Sequence, residues 1–394
     1  MVALLSPPGN TADISHARSV EDAVDRAAAI AAFAASNAGA LDRTGAFPVE
    51  EFARLREAGL FVAPLPRAYG GLGLGSEPGG TEPMLRLLTH LGRGNLAVGR
   101  VYEGHVNALG LIHTFGTPGQ IERFAQDAHA GHLFSVWNAG AADDVRLVPQ
   151  ADGEMRMEGA KTFCSGGSYV TRAFAPGALP DGGWQMVIVP MERVETRHAP
   201  AWWQVSGMRS TISYKVDFTG VTLSPEYVIG EPWDFQRQPW LSGGAIRFAA
   251  VQLGGGQALF EGTRRYLQGM GRTSDPYQAQ RAADMAIALE GARLWLTRAA
   301  AINDDLTRTA EEIVAYANMT RTVIERTCME VMQAAERTIG VRGMMAPLLM
   351  ERIIRDLTVY LRQPAPDAAL ASAGRYALDT APYFDPLANQ ETSA

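Results

Sequence analysis

Tyr214-Lys-Val-Asp-Phe-Thr-Gly-Val-Thr-Leu223 is the stretch on which the fold turns. Val216 and Phe218 alternate with Lys215, Asp217 and Thr219, the two-residue period of a strand buried on one face. Two more short β-prone runs, residues 155–159 and 184–191, precede it, set off by Gly, Pro and Asp. The middle of the chain therefore predicts a compact β domain. Before it, residues 24–36, 49–58 and 84–91 repeat apolar side chains at steps of three and four, interrupted by the Gly/Pro-rich segment 65–80. After it, Met285, Leu289, Ala292 and Leu296 form one helical stripe. Ile313, Tyr316, Ala317, Val323, Ile324, Cys328 and Val331 form another, on a helix of about six turns. Pro276 is placed to open the first of these helices, Gly340 to stop the second, and Pro364 with Pro366 to end a later one. The order is helical, β, helical.

A chain of 394 residues exceeds what one core usually organises. The net charge of −7 and the lack of a dense Lys/Arg run exclude a nucleic-acid footprint. Cys164 and Cys328 are too few and too far apart for a disulfide framework or a metal cluster, which suits a reducing cytoplasm. The first eighteen residues lack the charged and apolar segments of a secretory leader, and no apolar run is long enough to span a membrane. A cytoplasmic protein with loosely held ends at residues 1–18 and 389–394 is expected.

Several local motifs sharpen this reading. They are Phe47-Pro48, Leu55-Arg-Glu-Ala-Gly-Leu60, Pro66-Arg-Ala-Tyr-Gly-Gly-Leu-Gly-Leu74, Phe134-Ser-Val-Trp-Asn138, Gly159-Ala-Lys-Thr-Phe-Cys-Ser-Gly166 and Gly207-Met-Arg-Ser-Thr211. In this order, from about Gly45 to Tyr376, the chain resembles the acyl-CoA dehydrogenases. The resemblance implies an α+β fold with an N-terminal α-helical domain (residues 1–130), a middle β-barrel domain (131–232) and a C-terminal four-helix bundle (233–394). It implies FAD, with Trp137 and Asn138 running along the flavin, Phe163 packed on its ring, and the Ser165 hydroxyl bonded to N5, the atom through which redox chemistry passes. Phe163 stands where many members carry Trp. Cys164, alternating with both, is expected in the β core, and the Trp202-Trp203 pair is expected to serve β-domain packing.

The resemblance also implies that Arg272 and Gln280 grip the cofactor of a neighbouring subunit, as does the turn Ile339-Gly-Val-Arg-Gly343 through Gly340 and Arg342. A planar guanidinium suits a pyrophosphate. A homotetramer, or at least a homodimer, follows from that sharing.

One expected part is missing. Dehydrogenation needs a carboxylate to take the α-proton while the flavin takes the hydride. The family's usual Glu position, counted from Arg355-Asp356, is Pro364, and the alternative position before Arg247 is Ile246. Three readings stay open. The chain is an acyl-CoA dehydrogenase-like oxidoreductase with a displaced base, Asp367 or else Glu103 or His105, serving an electron-transfer partner. Or it is a flavin monooxygenase, supplied by a flavin reductase, that uses Ser165 and His105 on a small-molecule substrate. Or it is a catalytically silent flavin-binding protein.

Overall fold

The computed structural model describes residues 17–362 and 364–380. Of the ends expected to be loosely held, only Ala17 and Arg18 fall within that range. Five helices come first, α1 (Val20–Thr44), α2 (Val49–Glu57), α3 (Thr81–Gly94), α4 (Leu96–Phe115) and α5 (Pro118–His129). Their ends are chemically marked. Ser19 caps α1 by accepting from the Asp22 amide, and Thr117 with Gln120 forms a reciprocal capping box on α5. The sequence pattern singles out no stripe on α4, because that helix is buried on most of its circumference, from Leu96 through Ile112.

Eleven strands follow: β1 (Phe134–Val136), β2 (Arg146–Pro149), β3 (Met155–Glu158), β4 (Ala160–Cys164), β5 (Arg172–Phe174), β6 (Gly177–Ala178), β7 (Trp184–Pro190), β8 (Arg197–Ala199), β9 (Tyr214–Asp217), β10 (Thr222–Leu223) and β11 (Val228–Ile229). They lie in two sheets. One runs β1-β5-β7-β6-β2-β3-β10 with β11 against β7, and the other is β4-β9-β8. In the smaller sheet β4 and β9 are antiparallel, with Ala160 opposite Asp217 and Cys164 opposite Tyr214, and the register slips between Lys161 and Cys164. That irregularity shapes the site described below.

The C-terminal helices are α6 (Trp240–Gly243), α7 (Ala245–Gly269), α8 (Pro276–Asp304), α9 (Ala310–Gly343), α10 (Leu349–Tyr360) and α11 (Pro366–Asp379). Asp275 caps α8 just before Pro276, as a helix start requires. The helix α9 is longer than its stripe predicts, and Gly340 breaks it with φ 62° and ψ −165°, a conformation essentially confined to glycine. The α7, α8 and α9 helices pack on one another, and α7 also packs against α3 and α4, so both helical domains share one hydrophobic core.

The β domain is fastened to this body at the turn before β9. A Cβ on Gly207 would lie 2.1 Å from the Arg355 carbonyl oxygen of α10, so only glycine permits the approach. The next amide, Met208 N–H, donates to Asp356 at 2.5 Å. Arg355 donates to the Ser206 carbonyl at 2.7 Å while pairing with Asp42 of α1 at 2.6 Å.

Candidate functional site

The segment Phe163–Ser165 departs from plain strand geometry. Phe163 has φ 53°, a left-handed value that is an outlier for a bulky residue, and it falls within the register slip of β4. The consequence is a side-chain arrangement that strict alternation does not give. Phe163 stands 49 % exposed on the surface of the small sheet, whereas Ser165 is buried. Cys164 lies in the β core as expected, and burial raises its thiol pKa far above the ordinary value.

Around Phe163 lies an aromatic surface. Its ring meets Trp202 edge-on at 4.9 Å and Trp203 edge-on at 6.2 Å, and the two indoles lie nearly parallel. Trp202 is exposed, so the pair is more than the internal packing feature expected from the sequence. Trp203 anchors the group by donating from Nε1 to the Arg209 carbonyl at 3.2 Å.

Behind Phe163 the Ser165 peptide is held rigidly. Trp137 is fully buried and donates from Nε1 to the Ser165 carbonyl at 3.0 Å, and the Ser135 hydroxyl donates to the same oxygen at 3.3 Å. Trp137 therefore positions Ser165 rather than presenting its own ring. Asn138 is exposed, and its carbonyl accepts from Lys161 Nζ at 3.4 Å, while Lys161 also pairs with Asp144 at 2.6 Å. A half-exposed ring beside a fixed hydroxyl, on strained backbone, fits the edge and face of a planar heteroaromatic such as a flavin.

The structure gives His105 a different setting from the catalytic one expected. It is fully buried among Phe61, Tyr102 and Phe134. Its Nδ1 accepts from the Phe134 amide at 3.2 Å, so Nε2 carries the hydrogen and donates to the Phe61 carbonyl at 2.8 Å. Both nitrogens are spent within the core. Burial lowers its pKa to about 4 from the ordinary 6.5. A ring neutral in the fold but free to protonate once unfolded contributes stability that is complete above pH 6.5 and is lost as pH falls toward 4. At about 1.4 kcal/mol per pKa unit the loss is ~3 kcal/mol. Denaturant titrations between pH 7 and pH 4 should show this acid-side slope in the wild type, less steep by that amount in His105→Gln; equal slopes would refute it.

Glu103 sits about 200° around α4 from His105, as residues two apart on a helix must. It faces another cluster. Its Oε2 accepts from Arg100 at 2.6 Å and its Oε1 from Asn107, whose own oxygen accepts from Arg247 of α7 at 3.0 Å. Both carboxylate oxygens are engaged. The hydroxyl of Tyr360 on α10, which feels the charges of Glu103 and Arg100, is buried without a hydrogen-bond partner among the described residues.

At the two expected base positions, Ile246 is buried and apolar, and Pro364 offers only its carbonyl, which accepts from Arg321 at 2.7 Å. Asp367 is exposed in the first turn of α11. The expected phosphate contacts lie elsewhere on the surface of the C-terminal helices. Arg272 is exposed between α7 and α8 and pairs with Asp275 at 2.8 Å, Gln280 is exposed on α8, and Arg342 is exposed just past the Gly340 break. Sequence reasoning named Glu103 as a candidate base and Thr211 only as part of a motif, and passed over Ser213 and the partners Arg100, Asn107 and Arg247 that engage Glu103; the two-residue spacing of Thr211 and Ser213 was the available signal for the hydroxyl pair.

Among the described residues no helix is long and apolar enough to cross a membrane. The chain is 24 % identical over 374 residues to dibenzothiophene monooxygenase of Rhodococcus erythropolis, covering 86 % of this chain and 88 % of that one. It is 22 % identical to a protein of Pseudomonas putida named "Probable FMNH2-dependent monooxygenase SfnC", covering 86 % and 90 %. Among solved structures, FMN-bound TdsC of Paenibacillus sp. A11-2 superposes with TM-score 0.82 at 20 % identity, covering 91 % and 97 %. Butyryl-CoA dehydrogenase of Megasphaera elsdenii superposes with TM-score 0.81 at 19 % identity, covering 94 % and 99 %. The models of the acyl-CoA dehydrogenase N-terminal domain and C-terminal domain match residues 17–132 and 233–361, on either side of the sheets that carry Phe163 and Ser165, and the chain belongs to the acyl-CoA dehydrogenase family of flavin enzymes.

Proposed function

We propose that this chain is a flavin-dependent monooxygenase that receives reduced flavin, FMN in the first instance, from a separate reductase and oxygenates a small aromatic or sulfur-containing molecule. One observation carries the reading: neither family base position holds a carboxylate, and the nearby Glu103 has both oxygens engaged. Relatives named as monooxygenases, one of them as FMNH2-dependent, support it, and the FMN in a neighbouring structure favours FMN over the FAD expected from the sequence. When bound, reduced flavin supplies the two electrons that activate dioxygen.

The chain's own residues supply position and exclusion. Phe163 and Trp202 offer apolar faces to flat rings, and the Ser165 hydroxyl is the group that would meet flavin N5. Pairing the protein with NADH, a general flavin reductase and FMN, with indole or dibenzothiophene as probe, tests the reading under labelled dioxygen. Label in the organic product is expected. Oxygen consumed only at the rate of the reductase alone, with no labelled product, would overturn it.

We further assign the active form to a dimer or tetramer. The helix α8 is apolar on two sides, with Met285, Leu289 and Leu296 turned inward while Ile287 and Leu294 stand exposed one heptad apart. Arg272, Gln280 and Arg342 would then meet the flavin phosphate of a neighbouring copy. Light scattering on the flavin-loaded protein should give at least twice the chain mass, and a flavin-loaded monomer would overturn the assignment.

A further inference from the structure

Ser165 does not stand alone. Its Oγ lies 2.9 Å from Ser213 Oγ, which lies 2.7 Å from Thr211 Oγ1, which donates to the Met208 carbonyl at 2.8 Å. All three hydroxyls belong to buried residues. The segment that carries Thr211 and Ser213 is itself strained: Met208 and Ile212, on either side of the Arg209–Thr211 turn, both adopt left-handed backbone, with φ 55° and 39°. Conformations of that kind persist only where the surroundings hold them.

Hydrogen counting sets the direction of this chain. Each hydroxyl has one hydrogen, and the Met208 carbonyl can only accept. Thr211 therefore spends its hydrogen on Met208, so toward Ser213 it can only accept. Ser213 donates to Thr211, and Ser165 in turn donates to Ser213. Both terminal carbonyls already accept a backbone amide and keep a second lone pair, so distance decides: the opposite direction would trade the 2.8 Å bond from Thr211 to Met208 for a 3.5 Å contact between Ser165 and the Phe163 carbonyl. Run toward Met208, the chain leaves Ser165 Oγ with lone pairs only for whatever lies in front of it.

We propose that Thr211 and Ser213 are positioning residues that lock Ser165 as a hydrogen-bond acceptor and so make this site prefer reduced over oxidised flavin. The inference rests on the reading that Ser165 faces flavin N5. Reduced flavin carries a hydrogen on N5 and needs an acceptor, whereas oxidised flavin presents a bare nitrogen and needs a donor. An enzyme that must capture reduced flavin from another protein gains from a serine that cannot turn its hydrogen outward. Losing Thr211's hydroxyl frees Ser213 to donate back to Ser165, and losing Ser213 frees Ser165 directly. In both cases Ser165 can donate to oxidised flavin.

The test is the ratio of Kd values for FMN and FMNH2, measured by fluorescence quenching in air and by anaerobic titration. In Thr211→Val and Ser213→Ala the preference for FMNH2 should fall about tenfold, equivalent to lowering the two-electron midpoint potential of bound FMN by about 30 mV. Thr211→Ser, which keeps the hydroxyl, should retain the wild-type ratio, and circular dichroism establishes that each variant is folded. If Ser165→Ala alters the ratio while Thr211→Val and Ser213→Ala leave it unchanged, the locked chain is refuted and Ser165 keeps its place at N5. If none of the three alters it, both the chain and the placement of Ser165 fall. Should Thr211→Val not fold, Ser213→Ala alone decides the outcome.

Discussion

Butyryl-CoA, octanoyl-CoA and palmitoyl-CoA, mixed anaerobically with the flavin-loaded protein, should leave its flavin absorbance almost unchanged. A general base contributes about 10²–10⁴-fold to a proton abstraction, so bleaching should be slower by that factor than in a family member that has one. The argument is local. Ile246 can take no proton, and Pro364 presents a carbonyl already bonded to Arg321. Glu103 is pinned by Arg100 and Asn107, and His105 is closed inside a shell of aromatic rings. Asp367 is the carboxyl nearest in sequence to the usual position, but it is exposed at the start of α11. Fast bleaching would therefore contradict the monooxygenase reading, and its disappearance in Asp367→Asn would show which group supplies the base.

The fold was legible in the sequence because burial on one face leaves a period. The alternation of Val216 and Phe218 marked β9, and the stripe of Met285, Leu289, Ala292 and Leu296 marked the inner side of α8. Where burial is all round, as on α4, no period exists to read. The site was legible only in part, for a related reason. A motif can place Phe163 and Ser165 two residues apart on a strand, but a left-handed residue between regular neighbours sends one outward and the other inward, and local sequence does not announce it. His105 shows the same limit. Its type suggested proton chemistry, while its role is set by the Phe61 carbonyl and the Phe134 amide, which are distant in sequence and invisible as side-chain identities.

Arg352→Met should destabilise the fold by ~3–5 kcal/mol at pH 8, the usual cost of removing one partner from a buried ion pair. Arg352 and Asp356, one turn apart on α10 and both nearly inaccessible, pair at 3.0 Å. Burial raises the Asp356 pKa above its ordinary value, and Arg352 is the largest influence opposing that rise. Without the arginine the carboxyl must either stay charged and unpaired or take up a proton. A carboxyl whose folded pKa lies above its unfolded one stabilises the fold below the unfolded value and loses that contribution as pH rises through the folded value. The deficit of Arg352→Met should therefore be smaller at pH 5 than at pH 8, by urea denaturation compared with the wild type; a deficit independent of pH would show that lost packing, not charge, is responsible. The effect should also reach the flavin site. Asp356 accepts the Met208 amide, and the Met208 carbonyl anchors the hydroxyl chain that ends at Ser165. A protonated Asp356 is a weaker acceptor for that amide, so the left-handed turn at Met208 is held less firmly and the variant should lose part of its preference for reduced flavin at low pH, where its stability deficit against the wild type is smaller. A stability deficit that shrinks while flavin selectivity falls is a signature that simple unfolding cannot produce.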